Sequence, residues 1–294
     1  MKVFLTGGRG FMGRNLAEGL GDDIEILAPT RSELDLTDQY AVDRYISHHH
    51  FDVVLHTATW NATANSSKDL ELVLEKNLIM FFNLARLKDK FGKMIYYGSG
   101  AEYDRRNYRP FMAETYFDKH IPVDQYGFSK YIMSKYVEGA GNIIDLRVFG
   151  CFGPYEDWEI RFISNAMCKA LHGLPITIRQ NVFFDYVWVG DLVRITDWAM
   201  RNQTRHRHYN ACTGKHVDLL TLAKMIREVT GSDVPIQVAE EGLKSEYSGD
   251  SSRIQEEMGD FQFMQLEDAL LKLKRFYQDS WNSIDRNLLL HDKH

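Results

Sequence analysis

Three residue types at a particular spacing point to proton chemistry in this sequence. Tyr126 and Lys130 stand four positions apart in Tyr126-Gly127-Phe128-Ser129-Lys130. On a helix that is about one turn, so the phenol and the ammonium share a face. A free phenol, with an ordinary pKa of about 10, exchanges protons slowly at neutral pH. An ammonium beside a phenol favours the phenolate and makes exchange with a substrate oxygen feasible. Ser99 follows the apolar run Met94-Ile95-Tyr96-Tyr97, which reads as a strand. A hydroxyl there can hydrogen-bond the same substrate oxygen. A Tyr-x-x-x-Lys pair alone is usually an ordinary helix surface, and it gains meaning from the start of the chain.

That start is Lys2-Val3-Phe4-Leu5-Thr6-Gly7-Gly8-Arg9-Gly10-Phe11-Met12-Gly13. It reads as strand, glycine turn and helix. Gly7, Gly10 and Gly13 allow a sharp turn and close backbone approach to a ligand. A helix entered at Gly10-Phe11 aims free N–H groups and its positive dipole end at an anion. This is how a Rossmann unit holds a dinucleotide pyrophosphate. The last glycine serves either the ligand or close helix–strand packing.

The elements that must position these groups follow in order. Helix is expected over 11–20, 41–49, 68–88, 124–139, 161–171 and 219–230. Strand is expected over 24–28, 51–58, 94–97, 143–148 and, rich in aromatics, 182–189. Thr37 is read as a helix cap. The strand Phe51–Ala58 is nearly all apolar, as a strand covered on both faces should be. Strands alternating with helices imply an α/β fold with a doubly wound parallel sheet. Residues 1–154 plus about 180–212 are assigned to the dinucleotide-binding Rossmann domain. Residues of about 155–179 plus 213–294 form a smaller, partly interleaved substrate domain, polar and built of short elements.

Composition narrows the function. The chain has 294 residues, 44% hydrophobic, with a net charge of -6. That supports a full core and gives no basic footprint for nucleic acid. Cys151, Cys168 and Cys212 are too few and scattered for a disulfide framework or a cysteine zinc site, and no metal is expected. His48-His49-His50 point apart on a helix and read as a solvated helix end. No stretch approaches a membrane span, so a cytoplasmic setting is expected.

Taken together, Thr6–Gly13, His56-Thr57-Ala58, Ser99, Tyr126–Lys130, Arg147–Pro154, Asp185–Asp191 and Tyr209–Gly214 resemble the extended short-chain dehydrogenase/reductase family, the nucleotide-sugar epimerases, dehydratases and reductases. The likeness implies a catalytic set of Ser99, Tyr126 and Lys130. Tyr126 is the acid/base, Lys130 tunes it and holds the nicotinamide ribose, and Ser99 orients the carbonyl. It also implies a cofactor site comprising Gly7, Arg9, Gly10, Phe11, Met12, Gly13, Arg31, Asp35, Leu36, Thr57, Ala58 and Asn77, with Tyr126 and Lys130. Family members often dimerise through two long helices, here 68–88 and 124–139. Phe81, Phe82, Tyr131 and Met133 are candidates for that face or for core, and a homodimer is expected.

An NAD site usually carries an acid at the end of the second strand for the ribose 2′-OH. Here Pro29 and Thr30 stand there, followed by Arg31, with Arg9 inside the turn. Guanidinium groups suit a 2′-phosphate, so NADP is expected ahead of NAD. Arg31–Asp38 also resembles the matching segment of the GDP-fucose synthase and dTDP-4-dehydrorhamnose reductase branches. Gly100 and Ala101 replace the Asp-Glu pair of the dehydratases. Ala101 and Arg161 replace the Cys and His of the fucose synthases. Hydride transfer remains, so an NADPH-dependent reductase of a keto nucleotide sugar is the first expectation. An NAD-dependent 4-epimerase is second, and a catalytically inactive NADP-binding regulatory protein third. At the substrate end Phe184 replaces an arginine that commonly reaches the diphosphate, and Gly150 replaces an asparagine. Glu102, Arg161, Arg179 and Arg253 are the substrate-binding candidates.

Overall fold

The computed structural model describes residues 1–60 and 69–291. The first half runs β1 (Lys2–Thr6), α1 (Phe11–Gly19), β2 (Glu25–Leu27), α2 (Gln39–His48), β3 (Phe51–His56), α3 (Val73–Ala85), β4 (Phe91–Ser99), α4 (Gln125–Val137) and β5 (Ile143–Val148). Then come β6 (Gly150–Phe152), α5 (Phe162–Leu171), β7 (Ile176–Asn181), β8 (Phe183–Phe184), β9 (Tyr186–Trp188), α6 (Val189–Arg201) and β10 (His208–Ala211). The chain continues through β11 (Val217–Asp218), α7 (Leu219–Thr230), β12 (Ile236–Leu243), α8 (Ser252–Met258), α9 (Leu266–Asp279) and α10 (Arg286–Leu289).

The main sheet has the order β10-β5-β4-β3-β1-β2, with every pairing parallel. Side chains alternate across a strand, so β1 sends Val3 and Leu5 into one apolar cluster and Phe4 into the other. Helices cover both faces, which explains why β5 is buried along its whole length. The order reverses beside β1, and the strands' C-terminal ends there form the crevice where such sheets bind ligands. The α/β doubly wound sheet is the architecture expected.

A third apolar cluster joins α5, α7 and α9 to β7 in the smaller lobe. Ile254 of α8 belongs to the cluster that also holds Val3 and Leu5, and the nearby Phe261 and Phe263 pack against it.

Local expectations need correction at several points. The aromatic run 182–189 is not one strand. It breaks at Asp185, whose buried carboxylate accepts from Thr213 N (2.8 Å), Thr213 Oγ1 (2.7 Å) and Gly214 N (2.8 Å). Helix α2 is capped by Asp38 rather than Thr37; Asp38 accepts from Tyr40 and Ala41 N–H, and Thr37 bonds Asp35 instead. Helix α3 is shorter than 68–88, with single 3-10 turns on either side, and Lys68 lies outside the described residues. The last third carries the 14-residue α9 and the 8-residue β12 rather than only short elements. Phe81 and Met133 sit inside the core beside β4, and Tyr131 is buried, so they do not offer a dimer face.

Candidate functional site

The site grows from the end of β1. Gly7 takes a left-handed φ of 70°, and the Gly10 N–H closes the turn onto the Gly7 carbonyl at 2.9 Å. A methyl group on Gly13 would strike that same carbonyl oxygen and lie 2.7 Å from Gly8 Cα. Gly13 therefore serves turn–helix packing, one of the two roles expected for it. Gly10 caps α1 without a side-chain partner, which leaves the first N–H groups of the helix facing the crevice.

The ends of β1 and β3 are tied together. Thr57 donates to the Thr6 carbonyl (2.6 Å), and Thr6 Oγ1 meets both Ala58 N (3.2 Å) and His56 Nδ1 (2.9 Å). Burial, and then the Lys130 charge, lower the His56 pKa to about 3, so this imidazole is neutral. Asn77 accepts from Trp60 N (2.7 Å) and Thr59 Oγ1 (3.2 Å). It supports the loop after β3 and does not itself line the crevice.

The crevice is a continuous cavity of about 1550 Å³. Gly7, Arg9, Gly10, Phe11, Met12, Gly13, Arg31, Asp35, Leu36, Thr57 and Ala58 all line its first half. These glycines and the open helix N-terminus suit a dinucleotide pyrophosphate. No acid ends β2, since Ala28-Pro29-Thr30 follow it. Arg31 is exposed, 3.4 Å from Asp35 and 5.4 Å from the centre of the Trp60 ring. A hydrogen bond from Thr30 N, helped by the Arg9 charge, holds the Glu33 carboxyl below its usual range.

The chemical half lies where β4 ends. Ser99 and Tyr126 line the cavity there. Asp124 caps α4 by accepting from Gly127 N at 2.8 Å, which fixes Tyr126 in the first turn. Lys130, one turn on, is 5% exposed and stays beneath the cavity wall. Its Nζ donates to the Tyr97 carbonyl at 2.7 Å and sits 5.8 Å from the centre of the Tyr126 ring. Ser99 Oγ accepts the Ala101 N–H at 3.1 Å.

Two substrate candidates lie elsewhere. Glu102 is fully buried: one oxygen takes the Ser99 N–H (3.0 Å), the other Arg147 Nε (2.7 Å). Arg147 also reaches Asp145 at 3.2 Å. Burial, then Asp145, raise the Glu102 pKa well above its usual range, whereas the Asp145 pKa is lowered. Arg253 donates to the His208 carbonyl at 3.1 Å, away from the cavity, because α8 docks on β10. Arg161 and Arg179 do line the cavity, Arg179 paired to Glu240 at 2.9 Å. Glycine at 150 is required by close approach, since a side chain there would lie 2.6 Å from the Asp185 carbonyl and 2.8 Å from the Tyr186 ring.

Further cavity residues were not singled out by sequence reasoning. Tyr108 donates to the Gly100 carbonyl. Tyr247 is delivered from the segment after β12 and carries no local signal of its role. Glu156 accepts from Ser164 Oγ at 2.6 Å, and burial pushes its pKa up to about 7. Cys151 also lines the wall, and burial pushes its thiol well above its ordinary range. Among the described residues no three His, Cys, Asp or Glu converge as a metal site, and no helix is long and apolar enough to cross a membrane.

Comparisons agree with this architecture. The family model for the NAD dependent epimerase/dehydratase family matches residues 3–212. The ADP-L-glycero-D-manno-heptose-6-epimerase of Brachyspira hyodysenteriae is 22% identical over 266 residues, 77% of this chain and 80% of that protein. The UDP-glucose 4-epimerase of Thermotoga maritima, solved with UDP-glucose, superposes with a TM-score of 0.84 at 23% identity, over 96% of this chain and all of that one. The GDP-mannoheptose C4 reductase of Campylobacter jejuni, solved with NADP, gives 0.79 at 19% identity, over 94% and 98%. The glycine turn, the Ser99/Tyr126/Lys130 set and a family match over most of its length lead to one conclusion: this chain belongs to the NAD-dependent epimerase/dehydratase family of nicotinamide-dependent enzymes.

Proposed function

We propose that the chain is an NADPH-dependent reductase of a keto nucleotide sugar. The observation that carries this reading is the cavity itself: one continuous space has the glycine turn with Arg9 and Arg31 at one end and Ser99 with Tyr126 at the other. The absence of an acid after β2, with arginines in its place, favours a 2′-phosphate over a free 2′-OH. A nicotinamide held there would supply a hydride for the ketone carbon. Tyr126 gives its proton to the ketone oxygen, and Ser99 donates a hydrogen bond to that oxygen. Lys130, fixed by the Tyr97 carbonyl, brings its Nζ to 5.8 Å from the centre of the Tyr126 ring, beneath the group that gives up the proton. Arg161 and Arg179, on the cavity wall of the smaller lobe, meet the diphosphate of the sugar nucleotide.

The second reading is a 4-epimerase, favoured by the fit to a UDP-glucose 4-epimerase at a TM-score of 0.84. The two differ in cofactor economy. The test incubates the protein with NADPH and nucleotide-linked 4-keto hexoses and, in a second arm, with NAD and nucleotide-linked hexoses. A reductase consumes one NADPH per ketone reduced. An epimerase interconverts nucleotide hexoses with no net consumption of cofactor, and that outcome replaces the first reading.

A further inference from the structure

Ser99 is not held by its strand alone. β4 ends at Ser99, and Gly100–Glu102 wind into a single 3-10 turn. Ser99 Oγ accepts the Ala101 N–H at 3.1 Å, and Glu102 Oε1 reaches back to accept the Ser99 N–H at 3.0 Å. The two bonds are reciprocal and close the turn. Glu102 is fully buried and does not line the cavity, so it is not placed to touch substrate. Its other oxygen takes Arg147 Nε at 2.7 Å. Arg147, on β5, is fixed in turn: it donates to Ser134 Oγ (2.9 Å) and the Tyr103 phenol (3.0 Å), and its guanidinium carbon lies 4.2 Å from the centre of the Phe117 ring. One carboxyl therefore ties the Ser99 backbone to an anchored cation.

The same turn meets the helix that carries Tyr126. A side chain at Gly127 would lie 2.7 Å from the Ala101 carbonyl oxygen, so the first turn of α4 rests against residues 100–102. On its other side Gly127 N is held by Asp124 at 2.8 Å. The turn closed by Glu102 is thus the direct backbone contact between the serine's strand end and the tyrosine's helix start.

We propose that Glu102 is a positioning residue: its carboxyl spans from the Arg147 guanidinium to the Ser99 N–H and holds the serine hydroxyl in register with the Tyr126 phenol. Length matters as much as charge, because a single side chain must reach both partners. The role rests on the ketone-reductase reading above.

The test separates reach from charge, with NADPH and a GDP-linked 4-keto-6-deoxyhexose as substrates. Glu102→Asp keeps a carboxylate for Arg147 but is one methylene too short to hold both partners. Glu102→Gln keeps the length and an acceptor for the Ser99 N–H. We expect Glu102→Asp to lower kcat about tenfold with KM and NADPH affinity within about twofold, and Glu102→Gln to stay within about threefold of the parent. Once Ser99 is alanine, Glu102→Asp should change kcat by less than about twofold. A Glu102→Gln loss as large as that of Glu102→Asp, a loss carried in KM, or an equal loss in the Ser99→Ala background overturns the proposal. Amide hydrogen exchange of folded parent and variants reads the same bond without turnover. Ser99 N–H should exchange about tenfold faster in Glu102→Asp and close to the parent rate in Glu102→Gln. Unchanged protection in Glu102→Asp overturns the proposal. A parent that reduces no nucleotide-linked ketone removes the reductase reading, and the exchange of Ser99 N–H then decides the positioning of Ser99 alone.

Discussion

Glu102 Oε2 accepts from Arg147 Nε at 2.7 Å with both side chains buried, directly beneath the backbone of Ser99. The pair is part of a larger cluster, because Ser134 Oγ donates to Asp145 at 2.7 Å and Arg147 Nη1 donates to Tyr103 at 3.0 Å. Gly98 lets the two acids meet, since a methyl there would strike both Asp145 Oδ1 and Glu102 Oε1. Asp145 Oδ1 is buried without a hydrogen-bond partner.

This arrangement predicts unequal costs. Arg147→Met removes the cation facing an ionised Asp145 and should lower unfolding stability by about 3–5 kcal/mol. Glu102→Gln keeps a neutral hydrogen-bonding group and should cost about 1–2 kcal/mol. Urea unfolding of both variants checks the order. A Glu102→Gln loss as large as that of Arg147→Met would mean that Glu102 is ionised.

Helix α1 predicts a second outcome. Gly13→Ala places a methyl group against the Gly7 carbonyl oxygen and opens the turn. NADPH affinity should fall by about tenfold or more, read by fluorescence titration. Gly139→Ala, where nothing lies within 4 Å, is the control and should leave affinity unchanged.

Cofactor choice is tested at the two arginines. Arg9→Ala combined with Arg31→Ala should weaken NADPH binding by about ten- to a hundredfold and leave NADH binding nearly as it was. Equal binding of both cofactors by the parent would remove the 2′-phosphate argument.

Glu156 sets a pH dependence whose sign can be worked out. Its pKa is about 7 in the folded chain against 4.5 for an ordinary glutamate. Between those values the folded state holds a proton that the unfolded state has lost. The stabilisation is complete below pH 4.5 and is lost as pH rises through 7. Asp185, pushed up to about 6 by burial, acts in the same direction. Glu156→Gln should flatten the fall in unfolding free energy between about pH 4.5 and 8 by up to about 3 kcal/mol, leaving the Asp185 part. An unchanged slope would contradict the assignment.

The parallel sheet was legible because β1, β3 and β5 are short apolar runs and the glycine turn sits between strand and helix. Ser99 and Tyr126 were legible because strand end and helix start are local features. Other parts depend on long-range packing. Glu102 has a polar side chain near Ser99 in sequence, yet Arg147 and Asp145, more than forty residues on, draw it into the interior. Tyr247 enters the cavity wall because Gly100 is small, a side chain there coming within 2.6 Å of its hydroxyl, and no periodicity records that. Arg253 looked free until α8 was found to dock on β10.

The most direct measurement is NADPH consumption with a nucleotide-linked 4-keto sugar in the parent and in Tyr126→Phe. The account predicts stoichiometric NADPH oxidation by the parent. In the variant, turnover should fall by about a hundredfold or more while NADPH affinity stays within about threefold. Turnover unchanged in Tyr126→Phe would contradict the assignment of the proton donor and with it the proposed chemistry.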